Sequence, residues 1–171
     1  GGEDISHLSE ETKEEWLRFA RRRLRMQRLL ESTPPGYHYH QGLLLAAEER
    51  YHEALEALQA AQARVDRYPM LSPRLGDVYL QLHQWPEAEA SFRSALATDA
   101  HHPSTHRGLA LAALRQGRAQ EATDFALRAI GLQYYYPSAH AHLGEALIQL
   151  DEPQRAAQAF EVALHQAPGM K

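Results

Sequence analysis

Apolar residues in this chain recur at helical spacing, and the spacing breaks at regular steps. Leu75, Tyr79 and Leu82 follow one another at i, i+4, i+7, which sets three side chains on one face of a helix. After a break at Leu82-His83-Gln84 the pattern resumes with Ala88, Phe92, Ala95 and Leu96, and a similar break stands at Gln116-Gly117-Arg118. The pattern predicts short helices joined in antiparallel pairs. No single pair has the apolar surface to close a core by itself, so the pairs must stack.

The breaks keep one period. Pro35, Pro69, Pro103 and Pro137 stand 34 residues apart. The same step separates Ala54, Ala88, Ala122 and Ala156, and also Gly42, Gly76, Ala110 and Gly144. Ala61, Ala95, Ala129 and Ala163 form a fourth ladder. Counting places from each proline gives four units, 35–68, 69–102, 103–136 and 137–170. The small residues at places 8 and 20 are expected to face each other across a helix pair, where a larger side chain would force the helices apart. The ladder prolines suit the first turn of a helix, because proline fixes φ and lacks the N–H that this turn leaves unused. Pro86 and Pro153 fall where the second helix of a pair should begin.

The second unit carries Leu75-Gly76-x-x-Tyr79 and then Ala88-x-x-x-Phe92. The fourth carries His140-x-x-Leu143-Gly144-x-x-Leu147, then Ala156-x-x-x-Phe160, then Pro168. These residues resemble the tetratricopeptide repeat (TPR), whose signature is W-x2-L-G-x2-Y, then A-x3-F, then P, over 34 residues. The resemblance covers residues 35–170. It departs from the signature at place 4, which is His38, Ser72, His106 and His140, and in the third unit, which has Ala113 at place 11 and Ala126 at place 24. The resemblance implies an all-α fold: a right-handed α-solenoid of antiparallel helix pairs, with the first helix of each pair lining a concave groove.

Residues 1–34 read as a separate segment with an amphipathic helix over about 9–31 that precedes the solenoid. Ser9 can cap its start. Glu10, Glu11, Glu14 and Glu15 crowd the early turns and Arg21, Arg22, Arg23, Arg25 and Arg28 the later ones, an order that complements the helix dipole. Trp16, Phe19, Ala20, Leu24 and Leu30 form its apolar stripe, expected to pack on the first repeat. Arg21-Arg22-Arg23-Leu24-Arg25 is the one run that offers itself to RNA or an anionic lipid surface; a solvated, dipole-matched face is the simpler reading.

Composition narrows the function classes. Net charge is −4, which argues against a general nucleic-acid binder. Cysteine is absent, so disulfides, thiolate metal sites and a cysteine nucleophile are excluded. No apolar run approaches the roughly 18 residues of a membrane span, and no secretory signal pattern stands at the start. A cytoplasmic location is the resulting expectation. Lys13 and Lys171 are the only lysines, and the arginine-rich balance points to a bacterial source. Gly1-Gly2 without a Met reads as the edge of a fragment cut from a longer protein.

Catalytic chemistry finds no foothold. G-x-S-x-G, G-x-x-x-x-G-K and G-x-G-x-x-G are all missing, so no enzyme activity and no cofactor are expected. The chain has 11 histidines, but they are spaced wrongly for a metal. His38-Tyr39-His40 and His140-Ala141-His142 put paired rings on opposite sides of a helix. His52-Glu53 lacks the second histidine of a zinc-protease motif, and His102 should lie outside the helix that Pro103 starts. His38, His106 and His140 instead occupy the aromatic place 4.

In proteins similar to this one, places 2, 5, 6, 9, 12 and 13 of the first helices point into the groove. On this chain the resemblance implies a peptide-binding groove of Tyr39, His40, Arg74, Asp77, Gln81, Arg107, Arg115, His142, Glu145 and Gln149, with Leu43, Met70, Leu80, Ser104, Leu111 and Ile148 beside them. Members that clamp chaperone tails use Lys at place 5 and Asn at place 9 of their first unit; here these are Tyr39 and Leu43. Members joined to a sugar transferase carry an asparagine ladder at place 6; here it reads His40, Arg74, Gly108 and His142. Tyr134, Tyr135 and Tyr136, in the loop between the third and fourth units, form a further candidate contact, with burial against the next helix as the alternative. Pro168-Gly169-Met170-Lys171 follows the fourth unit with no polar capping helix, so either more repeats follow or the face near Phe160 and Leu164 makes a homodimer.

The expected function is a non-enzymatic protein–protein interaction scaffold that binds a peptide or helix in its groove. The alternative is a repeat domain appended to a larger bacterial enzyme, for positioning or oligomerisation. Tyr136-Pro137-Ser138-Ala139-His140-Ala141-His142-Leu143-Gly144 faintly resembles repeats that trail phosphatase-superfamily hydrolases.

Overall fold

The computed structural model describes residues 36–64 and 68–167, with residues 12, 14, 15, 18, 19, 21, 22, 25 and 34. The chain divides into two compact units, Gly1–Tyr37 and His38–Lys171. In the first, Thr12, Glu14, Glu15, Arg18, Phe19, Arg21, Arg22 and Arg25 are helical and exposed. Arg18 Nη2 pairs with Glu14 at 2.7 Å, one helical turn back. Ser9, Glu10, Glu11, Trp16, Ala20, Arg23, Leu24, Arg28 and Leu30 lie outside the described residues, as do Pro35 and residues 168–171.

The second unit is built from helix pairs: α1 (Tyr37–Ala47) with α2 (Tyr51–Gln62), α3 (Leu71–Gln81) with α4 (Trp85–Leu96), α5 (Pro103–Arg115) with α6 (Ala119–Leu132), and α7 (Pro137–Gln149) with α8 (Pro153–Gln166). No strand occurs among the described residues. The period is kept to the residue. First helices end at Ala47, Gln81, Arg115 and Gln149, and second helices begin at Tyr51, Trp85, Ala119 and Pro153, always 34 residues apart. Starts of the first helices are less uniform. Pro103 and Pro137 open α5 and α7, whereas α3 begins two residues after Pro69, which lies in a turn.

The turns inside the pairs are copies of one motif. Glu49, His83, Gly117 and Asp151 all adopt positive φ, between 58° and 74°. The next residue in each turn reaches back five positions: Arg50 N–H donates to Leu45 O, Gln84 to Tyr79 O, Arg118 to Ala113 O and Glu152 to Leu147 O, at 2.9–3.0 Å. This is the left-handed helix stop that satisfies the last carbonyls of a helix. The same four residues then accept, at 2.9–3.0 Å, the N–H groups of Ala54, Ala88, Ala122 and Ala156. Each stop is thus also the start of the following helix, which fixes the reversal between partners.

Those four alanines are fully buried, and Ala61, Ala95, Ala129 and Ala163 nearly so. The tight contact of the glycine ladder differs from the expected one. A Cβ placed on Gly76 would stand 2.6 Å from Phe92 Cε1, and one on Gly144 2.7 Å from Phe160 Cε1. Gly42 meets Leu58 in the same way, at 2.6 Å. Place 8 therefore makes room for the large residue at place 24, one helical turn beyond the ladder alanine. The third pair obeys the same rule inverted: Ala110 carries a Cβ at place 8, and place 24 is the small Ala126. Its departure from the signature is a compensated one, and α5 and α6 are as regular as the others.

One core runs through α3 to α8, centred on Phe92, Leu109, Ala110, Phe125, Leu143 and Leu147, and a second joins α1 and α2 to α3 through Leu45, Leu58, Leu71 and Leu75. Tyr79 packs against both. Successive first helices touch directly (α3 with α5, α5 with α7), while among the described residues each second helix meets the next pair chiefly through that pair's first helix. First helices therefore form the inner layer of the curve and second helices the outer.

Candidate binding groove

The inner layer displays a file of polar side chains from α3, α5 and α7. Arg107 on α5 holds two neighbours at once. Its Nη2 reaches Asp77 Oδ1 on α3 at 3.4 Å, and its Nε donates to the Tyr136 hydroxyl, just ahead of α7, at 3.0 Å. Arg74 lies 3.9 Å from Asp77 on the same helix. About two turns further along, Arg115 donates to Glu145 of α7 at 2.8 Å, and His142 Nδ1 lies 3.8 Å from the same carboxylate. The equal spacing of the pairs makes this possible, because residues 30 apart face each other across adjacent first helices.

Burial tunes these groups. Desolvation pushes Asp77 above its ordinary value, opposed by Arg107, Arg74 and His102. His142 is lowered to about 4, first by desolvation and then by Arg107, with Arg115 adding to the effect and Glu145 opposing it. Both of its ring nitrogens are buried and make no hydrogen bond. A neutral imidazole is therefore the stable form beside two guanidinium groups.

Among the remaining expected groove residues, His40, Gln81 and Gln149 are exposed. Tyr39 is half-buried, stacked on Tyr68 with ring centroids 4.8 Å apart and set edge-on to His40. Leu80 belongs to the core. Gly108 has a structural duty, because a Cβ there would strike the Phe92 ring of the preceding pair. The tyrosine run divides. Tyr134 and Tyr135 are 63% and 65% exposed, whereas Tyr136 is half-buried and bonded to Arg107.

A cavity of about 530 Å³ opens beside this file. Asp77, Arg107 and Arg115 supply its charges, and Tyr51, Trp85 and Leu111 much of its apolar wall. Tyr51 and Trp85 were not among the residues expected from first-helix positions. They are the first residues of α2 and α4 and stand 34 apart, so the period itself was a signal for them.

The place-4 histidines bind their own loops. His106 Nε2 donates to Ala100 O at 2.8 Å, and His140 Nε2 to Tyr134 O at 3.0 Å, each carbonyl six residues upstream. Both rings are only 5% exposed. His102 lies just before α5 and bonds Ser104 Oγ at 2.7 Å. No group of three metal-ligating side chains occurs among the described residues, and no helix there is long and apolar enough to cross a membrane.

The outer layer carries a separate network. Glu89 on α4 accepts from Arg93 at 2.8 Å, from Gln116 at 3.1 Å and from Arg118. Arg93 and Arg118 also share Glu121 of α6, at 2.6 and 2.5 Å. Burial alone would raise Glu89, but the hydrogen bonds from Arg118, Arg93 and Gln116 prevail and hold it at about 2. This ties the second helix pair to the third on the side away from the groove.

Known folds resemble this arrangement closely. The chain superimposes on the crystal structure of MamA with a TM-score of 0.72, at 16% identity, over 84% of this chain and 85% of that one. YrrB, described as a TPR protein with an unusual peptide-binding site, gives 0.70 at 16% identity over 89% and 83%. The first TPR of Spaghetti (RPAP3), bound to the HSP90 peptide SRMEEVD, gives 0.57 at 20% identity over 60% and 81%. At these identities the likeness speaks for the fold, a right-handed α-solenoid of antiparallel helix pairs. No curated protein matches the chain in sequence. The tetratricopeptide repeat family matches residues 74–137 and 128–171, more than half of the chain. With its helix pairs in a fixed 34-residue register, the chain belongs to the tetratricopeptide repeat family.

Proposed function

We propose that this protein is a non-catalytic scaffold that holds a peptide or helix of another protein against the inner faces of α3, α5 and α7. The observation that carries this reading is the cavity beside the Asp77–Arg107 pair, where polar groups from two first helices converge over an apolar wall. Extended peptides and amphipathic helices are recognised by such a combination, with side chains entering apolar pockets while flanking charges fix direction. Arg74, Arg115, Gln81 and Gln149 are exposed along the same face and are available to a ligand. Two structural neighbours support it: YrrB is described with a peptide-binding site and RPAP3 with a bound peptide.

The test is hydrogen exchange on the full chain, with and without peptides selected from a random phage-displayed library. Slowed exchange concentrated in α3, α5 and α7 supports groove binding. Slowed exchange confined to α4, α6 and α8, or a library that yields no binder, overturns it.

A further inference from the structure

We infer that the preferred occupant of the groove is an acidic peptide that places one large apolar side chain in the cavity walled by Tyr51 and Trp85. This rests on the groove reading above and adds the chemistry of the ligand. The charge on the inner face runs against that of the molecule. Arg74, Arg107 and Arg115 stand there against Asp77 and Glu145, in a chain whose net charge is −4. The cavity itself contains Arg107 and Arg115 with only Asp77 to offset them.

These arginines can be recruited. The Arg115–Glu145 pair is about two-fifths exposed on both sides, and Arg74 sits 3.9 Å from Asp77 with nearly half of its side chain in solvent. Exposed pairs of this kind contribute little to stability, so a ligand carboxylate can take over a guanidinium at small cost. A guanidinium has five donors in a planar fork and can hold a second carboxylate beside the first. A basic peptide would instead meet Arg107 and Arg115 with like charge.

The apolar anchor is matched to the aromatic and aliphatic part of a wall that is otherwise polar. Val78, Leu80 and Leu111 line the cavity together with the two aromatic residues, and Trp85 is held flat against His83 with centroids 5.0 Å apart. A volume of about 530 Å³ lies within the range of roughly 300–1,000 Å³ usual for ligand pockets. Filling it with an aromatic or leucine side chain removes apolar surface from water on both partners.

The experiment is selection of a random dodecapeptide phage library on the full chain, followed by binding measurements on the selected peptides. Enrichment of Asp and Glu together with a Phe, Trp or Leu is the expected result. Trp85 and Trp16 are the only tryptophans, so Trp16→Phe leaves Trp85 as the sole reporter, and its emission should shift on titration with the best peptide. Arg115→Glu, at an exposed position that leaves the fold intact by circular dichroism, should weaken that peptide at least tenfold by fluorescence anisotropy. Lysine in place of each acid in the peptide should abolish binding. Selected peptides that slow exchange in α3, α5 and α7 but show no acidic excess, or that leave Trp85 emission and the Arg115→Glu affinity unchanged, overturn this inference and leave groove binding standing. Peptides that protect only the outer helices, or none selected at all, overturn both.

Discussion

The ring of Phe92, on α4, rests against the backbone of Gly108, on α5 of the next helix pair. A Cβ at Gly108 would stand 2.5 Å from Phe92 Cε2, and a Cβ on Gly76 would press on the same ring at 2.6 Å from Cε1. Phe92 is fully buried and has a glycine from its own pair and another from the following pair in contact with it. This couples the stability of two repeats through one side chain.

Gly108→Ala should therefore destabilise the protein by about 1–2 kcal/mol in urea denaturation. Alanine gains up to about 1 kcal/mol of helix propensity, but overpacking a closed site costs about 1–3 kcal/mol, and the ring has no free side to retreat to. Gly131 is the control. It is also helical, with nothing within 4 Å of its added Cβ, so Gly131→Ala should be neutral or slightly stabilising. Phe92→Ala should cost about 3–5 kcal/mol. Equal effects of the two glycine substitutions would contradict the wedge.

Third-pair packing predicts non-additivity. Ala126→Phe alone should be destabilising, because Ala110 already fills the space that Gly76 and Gly144 leave open elsewhere. Combining it with Ala110→Gly should recover part of the loss, giving a coupling energy of about 0.5–3 kcal/mol in a double-mutant cycle.

The turn residues predict opposite signs at equivalent places. Glu49 has φ of 60° and Gly117 of 74°. A side chain in this region is strained by roughly 1–2 kcal/mol, which glycine avoids, while glycine gives back part of the gain through the entropy of the unfolded chain. Glu49→Gly should raise the melting temperature slightly, and Gly117→Ala should lower it. A calorimetric scan of both variants decides the matter.

Glu89 predicts an acid limb. Its folded value of about 2 lies below the ordinary 4.5, so the unfolded chain binds the proton more tightly. The stabilisation is complete above pH 4.5 and is lost as pH falls towards 2. Glu89→Gln should flatten the stability profile in that window and lower stability at pH 7, as read from urea midpoints.

His142 acts at a higher pH. Its folded value, about 4, lies below the ordinary 6.5, so its contribution is intact above pH 6.5 and fades as pH drops towards 4. His142→Leu removes a titrating group whose buried nitrogens have no partner. The variant should keep more of its pH 7 melting temperature at pH 5 than the parent does.

The period, the helix pairs and the turn positions were legible in the sequence, because each depends on local spacing repeated four times. The 34-residue ladders record where backbones approach closely, and any residue that keeps the step is under the same constraint. Tertiary structure alone decided which residues meet across units. The sequence marks Gly76 as small but not that its neighbour is Phe92, and it gives no hint that Gly108 serves the ring of the preceding pair. It shows Arg107, Asp77 and Tyr136 as separate positions spread over two units, and only stacking brings Asp77 and Tyr136 within 3.4 and 3.0 Å of the Arg107 guanidinium. The cavity at Tyr51 and Trp85 belongs to the same class, since it is bounded by three successive pairs and exists only at the curvature their packing sets. Local periodicity encodes the unit; the angle between units, and with it the groove, comes from side-chain volumes summed at each interface.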